Sequence, residues 1–280
     1  VPHHGLETFA VGLDRFTDVL DEELGDVATG GGGFKAIRGD YGTGKTFFSR
    51  WLEHRARARG YATALVQISE TDTPLHRFET IYRRALESLQ TREWTTGAFR
   101  NLVDRWFFDL EEEAAPGLAE DDPQTIDRTV GDLLERRLAS ISATQPLFSA
   151  ALRALHRARV RADQPLADGL LAWLMGQPNV SADIKRAAGI KGDLDDRGAS
   201  GFFRGLLALL HQTGRCGLLL VLDEVETIQR VRSDSREKSL NALRQLIDDL
   251  DSRLYPGLYV VVTGTPQFFD GPQGVRRSPP

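Results

Sequence analysis

The residues best able to do chemistry stand together in one short stretch. Residues 39–46 read Gly39-Asp40-Tyr41-Gly42-Thr43-Gly44-Lys45-Thr46, the G-x-x-x-x-G-K-[ST] spacing, with Phe47 directly after. Glycine at 42 and 44 lets the backbone turn successive N–H groups inward around an anion, and a following helix adds its positive end. At these positions Lys45 reaches the β- and γ-phosphates of a nucleotide and the Thr46 hydroxyl holds Mg²⁺. A pattern with several free positions recurs by accident, so its flanks decide. Phe34-Lys35-Ala36-Ile37-Arg38 reads as a short strand, and Phe47, Phe48, Trp51, Leu52 and Ala56 recur at helical spacing. Strand, loop and helix in that order predict a nucleoside-triphosphate site.

A second constellation lies far downstream. Leu218-Leu219-Leu220-Val221-Leu222 is an unbroken apolar run, the mark of a parallel strand covered on both faces, and it ends in Asp223-Glu224. Alone, an Asp-Glu pair after a strand reads as a solvated turn. Paired with a phosphate loop, Asp223 becomes a contact to the Mg²⁺ shell and Glu224 a general base for the attacking water. A third strand, Leu258-Tyr259-Val260-Val261-Val262, runs into Thr263-Gly264-Thr265-Pro266. Thr263 is the expected polar contact to that water or the γ-phosphate, and Thr265 the second choice. ATP and Mg²⁺ are therefore the expected ligands. The expected activity is hydrolysis, with adenine rather than guanine because no Asn-Lys-x-Asp guanine-reading motif is present.

These residues need elements to hold them. The 280 residues suffice for one sizeable core and a smaller companion. With Cys216 as the one cysteine there is no intramolecular disulfide, and the six histidines (3, 4, 54, 76, 156 and 211) show no metal-ligand spacing. No apolar run approaches the roughly 20 residues that span a bilayer and no signal-like segment opens the chain, so a cytoplasmic location is expected. The net charge of −5 gives no global field for nucleic acid.

Val19, Leu20 and Leu24 recur at helical spacing, and Thr29-Gly30-Gly31-Gly32-Gly33 links them to the first strand. A second strand is expected over Ala62 to Ile68. Lys45 and Asp223 are 178 positions apart. A minimal core needs a helix, a strand and a helix there, leaving on the order of 100 residues extra. That excess is patterned as helix throughout. One stripe holds Leu75, Phe78, Tyr82 and Leu86. Phe99, Leu102, Val103, Trp106, Phe107 and Leu110 form a second, and a third runs from Ile126 through Val130, Leu133, Leu134 and Leu138 to Ile141. The expected organisation is a P-loop core from residues 1–72 and 200–270, an all-helical insertion over 73–199 and a tail at 271–280. Within the insertion Arg153, Arg157 and Arg161 recur at i, i+4, with Arg159 nearby, a basic stripe able to follow DNA phosphates. Glu111 to Glu113 and Glu120 to Asp122 are its nearest acidic counterweights in sequence.

The ordering of motifs resembles the additional-strand Glu class of P-loop ATPases. Val11-Gly12-Leu13-Asp14-Arg15 looks like the box ahead of the phosphate loop in origin-recognition-type AAA+ and STAND ATPases, although Leu13-Asp14-Arg15 departs from its Gly-Arg-Glu order. The resemblance implies adenine contacts from Val11 and Gly12. Residues 33–48, Gln67-Ile68-Ser69-Glu70-Thr71-Asp72-Thr73-Pro74-Leu75-His76 and the Thr263-Gly264-Thr265-Pro266 turn are similar to the ATP-binding proteins of BREX phage-exclusion systems, the BrxD-like group. That likeness implies an α/β P-loop NTPase of AAA+/STAND type with a parallel sheet flanked by helices. It also implies a cytosolic defence ATPase working with other system proteins, often encoded beside a helicase, with DNA as a candidate partner and a homo-oligomer as a candidate state.

Two rivals remain at this point. A slowly hydrolysing, nucleotide-gated scaffold would carry the same parts. Asp223-Glu224 and Thr263-Gly264-Thr265-Pro266 also resemble the second and third motifs of superfamily-2 helicases, but the spacing is too long and a second set of strands is wanting. AAA+ relatives continue into a helical lid and often a winged-helix DNA reader, so the expectation is a chain that continues beyond Pro280. Arg276 and Arg277 read first as a disordered basic tail, with an Arg finger, which such relatives often place shortly after this strand, as the alternative.

Overall fold

In the computed structural model, which describes residues 10–114, 123–271 and 275, four strands form one parallel sheet in the order β1-β4-β3-β2. They are β1 (Gly33–Arg38), β2 (Ala62–Gln67), β3 (Leu218–Asp223) and β4 (Leu258–Gly264). The strand carrying Asp223 is thus separated from β1 by β4. Every residue of β3 and β4 is buried, as continuous apolar runs with both faces covered require.

Alternation along the strands sorts these residues into two faces. Leu219, Val221, Tyr259 and Val261 turn to one side, where α1 (Asp14–Ala28) supplies Leu20, Leu24 and Val27 and α2 (Lys45–Ala58) supplies Trp51, Leu52 and Ala56. Leu218, Leu220, Leu222, Leu258, Val260 and Val262 turn to the other and join a much larger cluster. That cluster extends into α3 (Phe78–Glu87), α4 (Ala98–Ala114), α5 (Pro123–Thr144), α6 (Pro146–Val160), α7 (Gln164–Leu174) and α9 (Asp196–Gln212). It also takes in Leu243, Leu246 and Leu250 of α10 (Ser233–Asp251). The short α8 (Ala182–Ala187) borders it, and α11 (Pro266–Asp270) follows β4.

The expected apolar stripes are the buried faces of their helices. Tyr82 is fully buried and donates its hydroxyl to the Leu174 carbonyl at 2.8 Å, pinning α3 to α7. Trp106 on α4 donates its indole N–H to Gln212 of α9 at 2.9 Å. Leu75 is buried but precedes α3, and the side chain of Ile126 lies outside the described residues. Thus the helices between β2 and β3 pack directly on one sheet face.

Candidate nucleotide site

Register brings the candidate residues together. In the ladders Gln67 faces Asp223, Leu222 faces Val262 and Ile37 faces Thr263, so the carboxyl ends of all four strands form one edge. This is where a parallel α/β sheet places its ligands. The Gly39 N–H donates to the Gly264 carbonyl at 3.1 Å, joining the start of the 39–46 loop to β4.

The loop takes the shape its composition requires. Gly42 and Gly44 have φ of 78° and 93°, and a Cβ at either would meet nothing within 4 Å, so conformation rather than space demands glycine. Gly44 caps α2, whose first residue is Lys45. Lys45 folds back into the loop, donating from Nζ to the carbonyls of Gly39 at 2.8 Å and Asp40 at 3.1 Å. Thr43 ties the loop to itself through the Asp40 carbonyl at 2.8 Å.

On the strand side, Thr46 Oγ1 lies 3.5 Å from Asp223 Oδ2. The other Asp223 oxygen accepts the Thr263 hydroxyl. Thr263 in turn accepts the Glu224 N–H at 3.2 Å. Thr263 is wholly buried, and its hydroxyl bridges the Asp223 carboxylate and the Glu224 N–H. The Glu224 carboxylate accepts from Gln67 Nε2 at 2.9 Å. Beneath this corner Glu53 of α2 is buried, and burial pushes its carboxyl above the usual carboxylate range. Arg50 at 3.3 Å and Arg57 pull it back, and the Asp223 charge adds to the rise.

A cavity of about 820 Å³ opens beside Lys45. Gly39, Asp40, Thr43, Gly44, Lys45 and Phe47 form its loop wall, and Val11, Leu13, Phe16 and Val19 at the start of α1 form an apolar wall. Phe16 meets Phe48 edge-on at 5.9 Å, which fixes α1 against α2 at the cavity mouth. Val11 lines the cavity, whereas Gly12, Tyr41, Gly42 and Thr46 do not. Thr265 is buried at the start of α11 and makes no side-chain cap bond.

The family model for the BREX system ATP-binding protein BrxC/D matches residues 1–280, the whole chain. The chain belongs to that family. Neither a curated protein nor a solved structure matches it. Membership makes ATP the nucleotide and a phage-defence system the setting. The residues singled out in sequence and gathered at the sheet edge are therefore the natural place to look for the family's nucleotide. Gln67, Phe16 and Arg230 also stand at this edge or its cavity. Gln67 opens the 67–76 segment that carries the resemblance, but its place beside Glu224 follows only once β2 is set in register with β3.

The remaining expectations fare unevenly. Arg153 pairs with Glu135 at 2.6 Å and Arg159 with Asp104, while Glu113 pairs with Arg137. Acids on neighbouring helices, not the run at 111–113, therefore occupy half the basic stripe; Arg157 and Arg161 stay exposed. Glu120 to Asp122, Arg276 and Arg277 lie outside the described residues. Among the described residues no helix is long and apolar enough to cross a membrane, and no three His, Cys, Asp or Glu side chains gather as a metal cluster.

Proposed function

We propose that this chain is the nucleotide-binding core of a Mg²⁺-dependent ATPase of AAA+/STAND type that works with other components of its BREX system. The observation that carries the reading is the convergence of Lys45, Thr46, Asp223, Glu224 and Thr263, drawn from three distant segments, on one sheet edge. The positive φ of Gly42 and Gly44 gives the loop the backbone turn that a phosphate cradle needs. The donor set suits magnesium: one hydroxyl and one carboxylate, both hard oxygens. When bound, the ion supplies charge neutralisation to the triphosphate.

Residues 39–47 hold the phosphates, with Lys45 exchanging its carbonyl partners for phosphate oxygens. Thr46 and Asp223 hold the metal, and the apolar wall with Val11 takes the adenine. Glu224 accepts the proton of the water that attacks the γ-phosphate, and Thr263 positions Asp223 and the Glu224 backbone. The grip of Gln67 on Glu224 at 2.9 Å favours one second reading, a nucleotide-gated switch with slow turnover.

Steady-state ATP hydrolysis, with and without duplex DNA, separates these readings. Glu224→Gln is expected to bind ATP like the wild type and lose turnover, whereas Lys45→Ala is expected to weaken binding. Unchanged hydrolysis by Glu224→Gln sinks the assignment of the base. Tight ATP binding with negligible wild-type turnover selects the switch, and stimulation by DNA identifies DNA as a partner.

A further inference from the structure

Arg230 ends the 3₁₀ turn, Val225–Gln229, that follows the Asp223-Glu224 corner. Its side chain is exposed and donates from Nη2 to the Tyr41 hydroxyl at 3.3 Å. Among the described residues it has no carboxylate partner. Tyr41 is 67 % exposed at the crest of the loop, and its ring lies 5.3 Å from Lys45 Nζ. One tyrosine therefore stands between two cations, Lys45 within the loop and Arg230 across from it.

Two other arginines near the loop are engaged by carboxylates, Arg38 by Asp270 and Arg50 by Glu53. Arg230 meets only a neutral hydroxyl, a weak acceptor for a five-donor guanidinium. A phosphate oxygen is a far stronger, charge-assisted partner. Neither Tyr41 nor Arg230 lines the cavity assigned to the base. Arg230 stands six residues after Glu224, at the end of the short turn that leaves the Asp223-Glu224 corner.

We infer that Arg230 is a γ-phosphate contact that the chain supplies to its own loop, resting on Tyr41 until a triphosphate is bound. The inference rests on the nucleotide reading above. It separates ATP from ADP, because Lys45 and the loop N–H groups serve both nucleotides while Arg230 would serve the terminal phosphate.

The test is titration of the full chain with ATP and with ADP, for the wild type and for Arg230→Ala, Arg230→Lys and Arg232→Ala. Arg230→Ala is expected to lose about tenfold or more in ATP affinity and nothing in ADP affinity. Arg230→Lys, which keeps the charge without the fork, should fall between, and exposed Arg232→Ala should match the wild type. Retained ADP binding also shows that the variants fold. Wild-type ATP and ADP affinities in Arg230→Ala overturn the inference, as does an equal loss of both, which marks a merely structural support of the loop. A wild type that binds neither nucleotide brings down the nucleotide reading and this contact with it. The titrations are repeated at a tenfold higher protein concentration. An ATP preference that appears only there places Arg230 on a neighbouring copy and overturns its action on its own loop.

Discussion

Glu224 sits at φ 59° and ψ 42°, a left-handed conformation that costs a side-chain-bearing residue on the order of 1–3 kcal/mol. Two contacts hold it there: its N–H donates to the buried Thr263 hydroxyl, and its carboxylate accepts from Gln67. The strained turn leaves the carboxylate at the sheet edge instead of continuing along the strand. This gives a test that separates backbone from side chain. Glu224→Gly and Glu224→Ala lose the same carboxylate, but glycine adopts the left-handed backbone freely. The glycine variant is therefore expected to be about 1 kcal/mol more stable than the alanine variant by denaturant unfolding. Equal stabilities would mean that the turn relaxes once the carboxylate is removed.

At the scale of elements, α1 forms the apolar wall of the cavity and must be fastened to the phosphate-loop helix. Asp21 on α1 accepts from Arg55 Nε on α2 at 2.7 Å and also pairs with Arg59. The hydrogen bond from Arg55 holds the Asp21 carboxyl below its ordinary value of 3.8. A lowered folded-state pKa adds stability above the unfolded value and loses it as pH falls through the folded one. Because the pair is partly exposed, Asp21→Asn is expected to cost only about 0.5–1 kcal/mol near neutral pH. The gap from wild type should close as pH drops through and below 3.8 in acid unfolding curves. A gap that persists in strong acid would assign the effect to packing.

Which of these elements could be read from the chain alone follows from distance in sequence. The loop, its helix and the apolar runs ending in Asp223 and Thr263 are local patterns, and local backbone chemistry makes them. The Gln67–Glu224 bond spans 157 positions and the Arg230–Tyr41 bond 189. Strand register and the path of a turn set such pairs, and no residue spacing records either. Gly12 takes a turn conformation, φ 80°, that its glycine identity alone permits but does not specify.

At the scale of the molecule, one apolar cluster runs from the sheet face through α3 to α7 and α9. Packing is close where these helices meet. A Cβ on Gly205 of α9 would come within 2.8 Å of the Phe148 ring of α6. Gly205→Ala is expected to destabilise the chain by about 1–3 kcal/mol through this overpacking. The loss should shift a single cooperative unfolding transition followed by both far-ultraviolet circular dichroism and tryptophan fluorescence. Two separated transitions would show that the inserted helices unfold as a unit of their own.

The sheet order also bears on how the site comes into being. β2 and β3 are hydrogen-bonded neighbours, yet 150 residues lie between Gln67 and Leu218. Closing so long a loop in an unfolded chain is entropically unfavourable, whereas the intervening helices form from contacts close in sequence. The helices shorten the effective tether before the strands meet. Asp223 meets Thr46 at the end of that ladder, so the proposed nucleotide site is expected to be assembled late in folding.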